Sequence, residues 1–383
     1  MGSDLKVFTP HKIGNIKIKN RFVRSATYMR SANEKGEVTD KTIEIYDELA
    51  KNELGLIVTG YMYVSRGGVA APKQLGIHHD DLNPGLKRLV AAVKNYDATI
   101  FAQIVHGGRQ SLEKEADPMA PSPISDKFMK RKAREMNDED LKTLVKDFIG
   151  ATKRAYNAEF DAVQLHLAHG YLLSLFLSPY ANKRTDSYGG SIENRVRIIE
   201  EIITGIQDEV GKSFPIAIKV NFCDFVKDPN QLTIDESKIM IKKMTDLGVA
   251  AVEPSGGFYE SAMHGNVTAM RVKIRTKEDE AYFLPEAKII KKEIGDVPVM
   301  VVGGIRSLEI AENIINEGLD FVSISRPLIR EPDLIKKWKE GTSDKADCIS
   351  CGRCLLEMTA RAVECLPLKK LKRKMKRMTK NEA

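Results

Sequence analysis

Two clusters in this 383-residue chain carry side chains whose types and spacing could do chemistry. The first is His166, His169 and Tyr171, at i, i+3 and i+5. Two imidazoles can donate hydrogen bonds to an oxygen that gains charge, and a phenol can deliver a proton as a general acid. A single His at a strand end is more often a structural residue, but three such groups in one loop shift the balance towards a site. The second cluster is Cys348, Cys351, Cys354 and Cys365, spaced C-x2-C-x2-C-x10-C. Four thiolates are the ligand set of a [4Fe–4S] cluster, and three close cysteines with one remote is a usual arrangement. Zinc is the alternative, although four-cysteine zinc sites more often use two separated C-x2-C pairs. Free thiols are the third reading. In a chain without a secretory leader, such clustering favours a metal centre over disulfides.

These groups must be positioned by the elements around them. Eight short apolar runs, often β-branched, read as strands buried on both faces: Phe22–Ser25, Leu56–Thr59, Ile100–Ile104, Ala162–His166, Ile216–Val220, Ala250–Pro254, Val299–Val302 and Phe321–Ile324. Helix-like stretches alternate with them: 40–54, 86–96, 138–158, 192–210, 234–247, 285–294 and 308–317, with Thr233 placed as an N-cap. Alternating strands and helices of this number predict an α/β fold, a (β/α)8 TIM barrel ending near residue 340. A doubly wound open sheet is the alternative, but no strand leads into G-x-G-x-x-G. His166 then falls at the C-terminal end of the fourth strand, where barrel active sites lie. Long inserts at 64–83, 107–137, 179–190 and 256–282 belong to the loops of such a barrel.

Composition narrows the class. Hydrophobic residues at 42% and charged residues at 30% describe a globular protein. No apolar run is long enough to span a bilayer, and the first residues lack a signal-peptide core, so a cytoplasmic location is the default expectation. The net charge of +7 invites a nucleic-acid reading, but its distribution argues against one. Of 60 basic and 53 acidic side chains, eight and one fall within 369–383, which leaves the first 368 residues with 52 of each sign. A basic tail without a reading element makes a solvated helix end, a lipid-touching amphipathic segment built on Leu371, Met375 and Met378, or a docking strip for an acidic partner.

The segment from Gln164 to Arg195 resembles the active-site signature of the Old Yellow Enzyme family of FMN-dependent reductases. Pro10–Thr27, Gln103–Gln110, Val301–Ser307 and Asp320–Leu334 resemble other motifs of that family, in the same order. The resemblance implies that Ser25, Ala26, Thr27 and Gly60 lie beside the flavin ring. It implies that Gln103 bonds the pyrimidine edge and that Lys219, where Arg is common, lies near flavin N1. Gly303, Gly304, Ser325 and Arg326 match the phosphate site. His166 and His169 match the pair that grips a substrate carbonyl, and Tyr171 matches the proton donor. Tyr28, which stands where Thr or Cys is common near the flavin carbonyl, is a substrate-binding expectation. The cysteine segment resembles that of iron–sulfur members of the family, such as dienoyl-CoA reductase and trimethylamine dehydrogenase, with Cys348, Cys351, Cys354 and Cys365 as the ligands.

The expected organisation is an FMN-binding barrel over 1–340, a four-cysteine segment over 341–368 and a basic tail over 369–383, without the dinucleotide-binding domains of those larger relatives. The expected function is reduction of the C=C bond of an α,β-unsaturated carbonyl compound, with NAD(P)H, a ferredoxin or a flavoprotein as electron donor. An oxidative amine dehydrogenase or demethylase on the same scaffold is the alternative. A flavin and iron–sulfur electron-transfer or redox-sensing protein is a further one. No nucleic-acid partner and no transmembrane segment are expected, and a homo-oligomer is left open.

Overall fold

The computed structural model describes residues 4–113, 117–126, 131–258, 261, 270–354 and 362–381. Eight parallel strands form a barrel: β1 (Phe22–Arg24), β2 (Leu56–Val58), β3 (Thr99–Val105), β4 (Ala162–Leu167), β5 (Ile216–Asn221), β6 (Val249–Ser255), β7 (Met300–Val302) and β8 (Phe321–Ile324). They pair in the order β6-β5-β4-β3-β2-β1-β8-β7. The ring closes where Val252 bridges Val299 and its amide donates to the Pro298 carbonyl at 2.9 Å. The expected α/β barrel is therefore the observed one.

Helices α1 (Asp40–Ala50), α2 (Asn83–Lys94), α3 (Asp138–Asn157), α4 (Leu172–Leu177), α5 (Ile192–Val210), α6 (Ile234–Asp246), α7 (Leu284–Ile294) and α8 (Leu308–Asn316) follow the strands. The short α9 (Arg326–Arg330) and α10 (Leu334–Glu340) close the barrel, and α11 (Leu366–Asn381) comes last. Caps start the helices where the sequence supplies them. Thr233 accepts from the Glu236 amide at 3.4 Å ahead of α6, and Asn137 and Asp140 form a reciprocal capping box ahead of α3. No helix among the described residues is long and apolar enough to cross a membrane.

Strand periodicity decides what enters the barrel. Val23, Leu56, Val58, Phe101, Ala162, Ala217 and Ala251 point inward and make the lower interior, while their neighbours Ile57, Ile100, Val163, Ile218 and Val252 pack outward on the helices. A hairpin of His11–Ile13 and Ile16–Ile18 sends Ile13 and Ile18 into that interior and plugs it from below. Its turn needs Gly14, whose φ of +56° suits a residue without a Cβ.

Moving up the strands by two residues, the inward side chains become polar: Gln103, Gln164, Lys219 and Glu253, all buried. The register between β5 and β6 shifts between Ile216 and Ala217, so Lys219 lies opposite Glu253. Without that one-residue shift Lys219 would face Val252, whose side chain packs outward against the helices.

Candidate active site

The polar layer forms one connected network across the barrel. Gln103 Nε2 donates to Gln164 Oε1 at 2.7 Å, and Gln164 Nε2 donates to Glu253 Oε2 at 3.1 Å. Ser25 Oγ donates to Glu253 Oε1 at 2.6 Å, and Lys219 Nζ donates to Ser25 Oγ at 3.0 Å. Lys219 and Glu253 also form a buried ion pair at 3.4 Å. Each of these polar side chains thus has a partner, which is the condition for burying it. Around the edge, Thr27 Oγ1 donates to the Ser25 carbonyl at 2.8 Å, and the Gly60 amide donates to the Tyr46 hydroxyl at 2.8 Å. Ala26 is half-buried beside them. A Cβ on Gly60 would stand 2.8 Å from the Thr27 carbonyl, so only glycine lets these two segments approach.

Above this layer, His166, His169 and Tyr171 come together. The ring centres of His166 and His169 are 5.1 Å apart, and those of His166 and Tyr171 are 4.9 Å apart. His166 continues the inward series of β4, two residues beyond Gln164. Its Nδ1 accepts the Ala168 amide at 3.3 Å, which puts the ring proton on Nε2. His169 sits just past the strand with φ of +64°, a left-handed conformation that His adopts more readily than most residues. Three contacts hold it there. Its amide donates to Asn221 Oδ1 at 3.2 Å, its carbonyl accepts from Gln110 Nε2 at 3.0 Å, and its Nε2 lies 2.7 Å from Ser255 Oγ. Tyr171 follows at the head of α4.

Both histidines are held neutral. Burial, then the His169 and Lys219 charges, lower the His166 pKa well below its ordinary value. Burial, then Lys219, push His169 down to about 3, and burial alone pushes the neighbouring His106 down to about 4. Unfolded imidazoles protonate near pH 6.5, so on acidification the unfolded chain takes up protons that the folded chain refuses. The stabilisation is complete above about pH 6.5 and is lost on descending towards about 4 and 3. Asp147 and Asp224, pushed up to about 6 by burial, work in the opposite sense, but they are two groups against four, since burial also pushes His78 down to about 4. The denaturation midpoint followed by circular dichroism should therefore fall from pH 7 to about 4.5. A level midpoint would show that the imidazoles are already charged in the fold.

Two tyrosines complete the mouth. Tyr61 packs on Tyr171 at 5.4 Å between ring centres and on Tyr28 at 5.7 Å. The Tyr28 hydroxyl donates to the Pro72 carbonyl, and burial raises its pKa to about 12. Tyr28 is thus committed to the loop above it through its hydroxyl and offers its ring to the mouth.

Gly303 and Gly304 turn at the end of β7 with φ of +140° and +75°, and Cβ atoms there would press on Tyr282 at 3.1 and 3.0 Å. Arg326 Nη2 donates to the Arg271 carbonyl at 2.6 Å, while its Nη1 is buried with no hydrogen-bond partner among the described residues. Ser325 precedes it as the residue flanking α9, its carbonyl accepting from Arg24.

Arg326 also reaches the second cluster. Cys348, Cys351, Cys354 and Cys365 line one cavity together with Arg326 and Arg330. Arg330 Nη1 donates to Cys365 Sγ at 3.7 Å. All four cysteines are free, and burial raises the thiol pKa of Cys348 and Cys354. Among the described residues, no three His, Cys, Asp or Glu side chains converge closely enough to hold a single metal ion. The segment is tied to the barrel by its backbone. The Ala346 amide donates to the Arg306 carbonyl at 2.7 Å, that of Lys273 to Ser350 at 2.9 Å, and that of Val363 to Met29 at 3.0 Å.

The residues picked out in the sequence therefore fall into three places: the polar layer with the His–Tyr mouth, the glycine turn with Arg326, and the cysteine cavity. Glu253, Gln164, Tyr61, Ser255 and Asn221 are participants that sequence reasoning missed. Glu253 left one signal: a charged residue two positions after Ala251, inside an otherwise apolar strand.

The sequence pattern of the NADH:flavin oxidoreductase / NADH oxidase family matches residues 6–345. The NADH oxidase of Thermoanaerobacter brockii is 37% identical over 351 residues, covering 90% of this chain and 52% of that protein. Among solved structures, 2-naphthoyl-CoA reductase in complex with 2-naphthoyl-CoA superimposes with a TM-score of 0.87 and 28% identity, over 96% of this chain and 57% of the other. Histamine dehydrogenase from Rhizobium sp. 4-9 superimposes with a TM-score of 0.83 and 26% identity, over 95% and 52%. The chain thus spans about half the length of each of these three proteins.

Proposed function

This chain belongs to the NADH:flavin oxidoreductase / NADH oxidase family, and from that premise we propose that it is an FMN-dependent ene-reductase acting on an α,β-unsaturated carbonyl compound. The observation that carries the reading is the cluster of two neutral imidazoles and a phenol, with ring centres 5.1 and 4.9 Å apart, above a buried polar layer.

The residues fit a flavin mononucleotide. Ser25, Ala26, Thr27, Gly60, Gln103 and Lys219 would hold its ring, and Gly303, Gly304, Ser325 and Arg326 its phosphate. The buried Arg326 Nη1 without a partner among the described residues, together with the two left-handed glycines that end β7, supports a phosphate there. FMN, when bound, supplies the hydride that goes to the substrate β-carbon. His166 donates its Nε2 proton in a hydrogen bond to the carbonyl oxygen, and His169 completes the grip. Because both rings are neutral, they stabilise the oxygen as it gains charge without surrendering a proton to it. Tyr171 holds the proton that the α-carbon takes, and the Tyr28 and Tyr61 rings exclude water from the mouth.

The cysteine segment supports a [4Fe–4S] cluster over zinc. Such a cluster spreads its four thiolates over separate iron atoms, whereas zinc needs all four sulfurs within about 2.3 Å of one ion. Four cysteines spaced C-x2-C-x2-C-x10-C that line one cavity fit the former. NAD(P)H or a redox protein is the proposed electron source. The proposed division is a barrel over 1–340, a cysteine segment over 341–368 and a basic tail, with α11 running across the last boundary.

One observation favours a second reading. The Tyr28, Tyr61 and Tyr171 rings form an aromatic wall that an amine cation would also accept, and histamine dehydrogenase is a structural relative. Anaerobic assays separate the two. Chemically reduced enzyme should be reoxidised by cyclic enones and enoates, while methylamines and histamine should leave the oxidised enzyme yellow. Bleaching by amines with no response to any enone would replace the first reading with the second.

A further inference from the structure

We propose that the surface around the cysteine cavity is a docking site for a small acidic one-electron carrier protein. The inference rests on the iron–sulfur reading above and adds to it the kind of partner and the face that receives it.

The surface combines exposed apolar and exposed basic side chains, the mixture that protein interfaces use. Three of the exposed large apolar side chains lie here. Ile349, 59% exposed, lines the cavity between Cys348 and Cys351. Val272, 44% exposed, is carried by the loop whose Lys273 amide bonds the Ser350 carbonyl at 2.9 Å. Leu371, 49% exposed, lies on α11, which starts at Leu366, next to Cys365 on the cavity wall. Around them Lys273, Arg353, Lys370, Lys372, Arg373 and Lys374 are exposed. The acids nearby are already paired: Asp347 lies 3.7 Å from Arg330, and Glu364 lies 2.6 Å from Lys369.

Charge identifies the occupant. The whole formal charge of +7 is carried by residues 369–383, and the helix that leads into them starts on the wall of a cavity whose Cys351 is exposed. A basic strip beside an accessible redox site concentrates and orients an acidic carrier. An anionic membrane would suit the tail and the apolar side chains alike, but it delivers no electrons to the cysteine cavity that they border. Each docking event oxidises one carrier by one electron. Two events supply the electron pair that, with two protons, saturates one C=C bond.

The test uses the full chain as holoenzyme and an acidic 2[4Fe–4S] ferredoxin as the probe. Calorimetric Kd with oxidised ferredoxin and stopped-flow reduction by reduced ferredoxin are measured at about 25 and 250 mM salt. The comparison variant is K370E/K372E/R373E/K374E. Binding to the unaltered protein should weaken about tenfold across that salt range, and the variant should lose at least about 30-fold in Kd and in second-order rate at low salt. FMN content, iron content and reduction by dithionite should not change. An unaltered Kd and rate in the variant would overturn the proposal. So would loss of co-sedimentation with phosphatidylserine vesicles while ferredoxin binding persists, because the tail then serves a membrane. Failure of the underlying reading is distinguishable, since protein without iron is detected in the metal assay and not in the Kd.

Discussion

Replacing Tyr171 by Phe is expected to slow reoxidation of the reduced enzyme by an enone about 10²- to 10³-fold while leaving reduction of the flavin by dithionite or NADH within about twofold. The phenol ring is 8% exposed and packs against His166 and Tyr61 at 4.9 and 5.4 Å, contacts that Phe keeps. The hydroxyl is lost, and only one half-reaction needs its proton. Enone binding, which depends on the two imidazoles, should persist, so the loss should appear in the rate at saturation and not in the substrate concentration required. Stopped-flow traces of the two half-reactions check this directly. If both slowed equally, Tyr171 would be supporting the cofactor's position, and the proton would have to come from elsewhere. If neither slowed, water would be the donor and the mouth would be wetter than the Tyr28–Tyr61 wall suggests.

The legibility of this site in the sequence follows from how far apart its parts lie along the chain. His166, His169 and Tyr171 sit on one strand end and its loop, so a few residues of sequence display the whole mouth. The strands were equally plain, because runs such as Val299–Val302 are apolar on both faces and cannot be mistaken for half-exposed elements. Glu253 was not legible, although it is fully buried and bonds Ser25 and Gln164. Its partners come from other strands, 228 and 89 residues away, and the register shift that aligns it with Lys219 leaves no mark in the local pattern. Tyr28 was read from a family position as a contact of flavin or substrate. Its hydroxyl also meets a carbonyl 44 residues further on, which only the fold brings near. The tail boundary set at 368 falls inside α11, because Leu366 and Leu368 already share helical phase with the lysines that follow.

The second large effect belongs to that hidden pair. Changing Lys219 to Met should destabilise the protein by about 3–5 kcal/mol at pH 7, because it leaves the Glu253 carboxylate buried without its cation. The methylene stem is retained, so packing alone would cost far less. Changing Glu253 to Gln in the same protein should recover most of the stability. The amide oxygen can still accept from Ser25 or Gln164, whose rotors can reorient, and no isolated charge remains in the layer. A double-mutant cycle should return a coupling of at least about 2 kcal/mol between the two sites. Flavin behaviour should not follow stability. Both the single and the double variant lack the ammonium group proposed to lie beside the ring, so both should hold reduced flavin less favourably and show a lowered midpoint potential. Recovery of stability without recovery of potential would separate two roles for Lys219: partner to a buried acid and cation for the cofactor. A single variant as stable as the original would mean that the buried pair does not hold the fold together, and recovery of the potential in the double variant would assign the tuning to Glu253 instead.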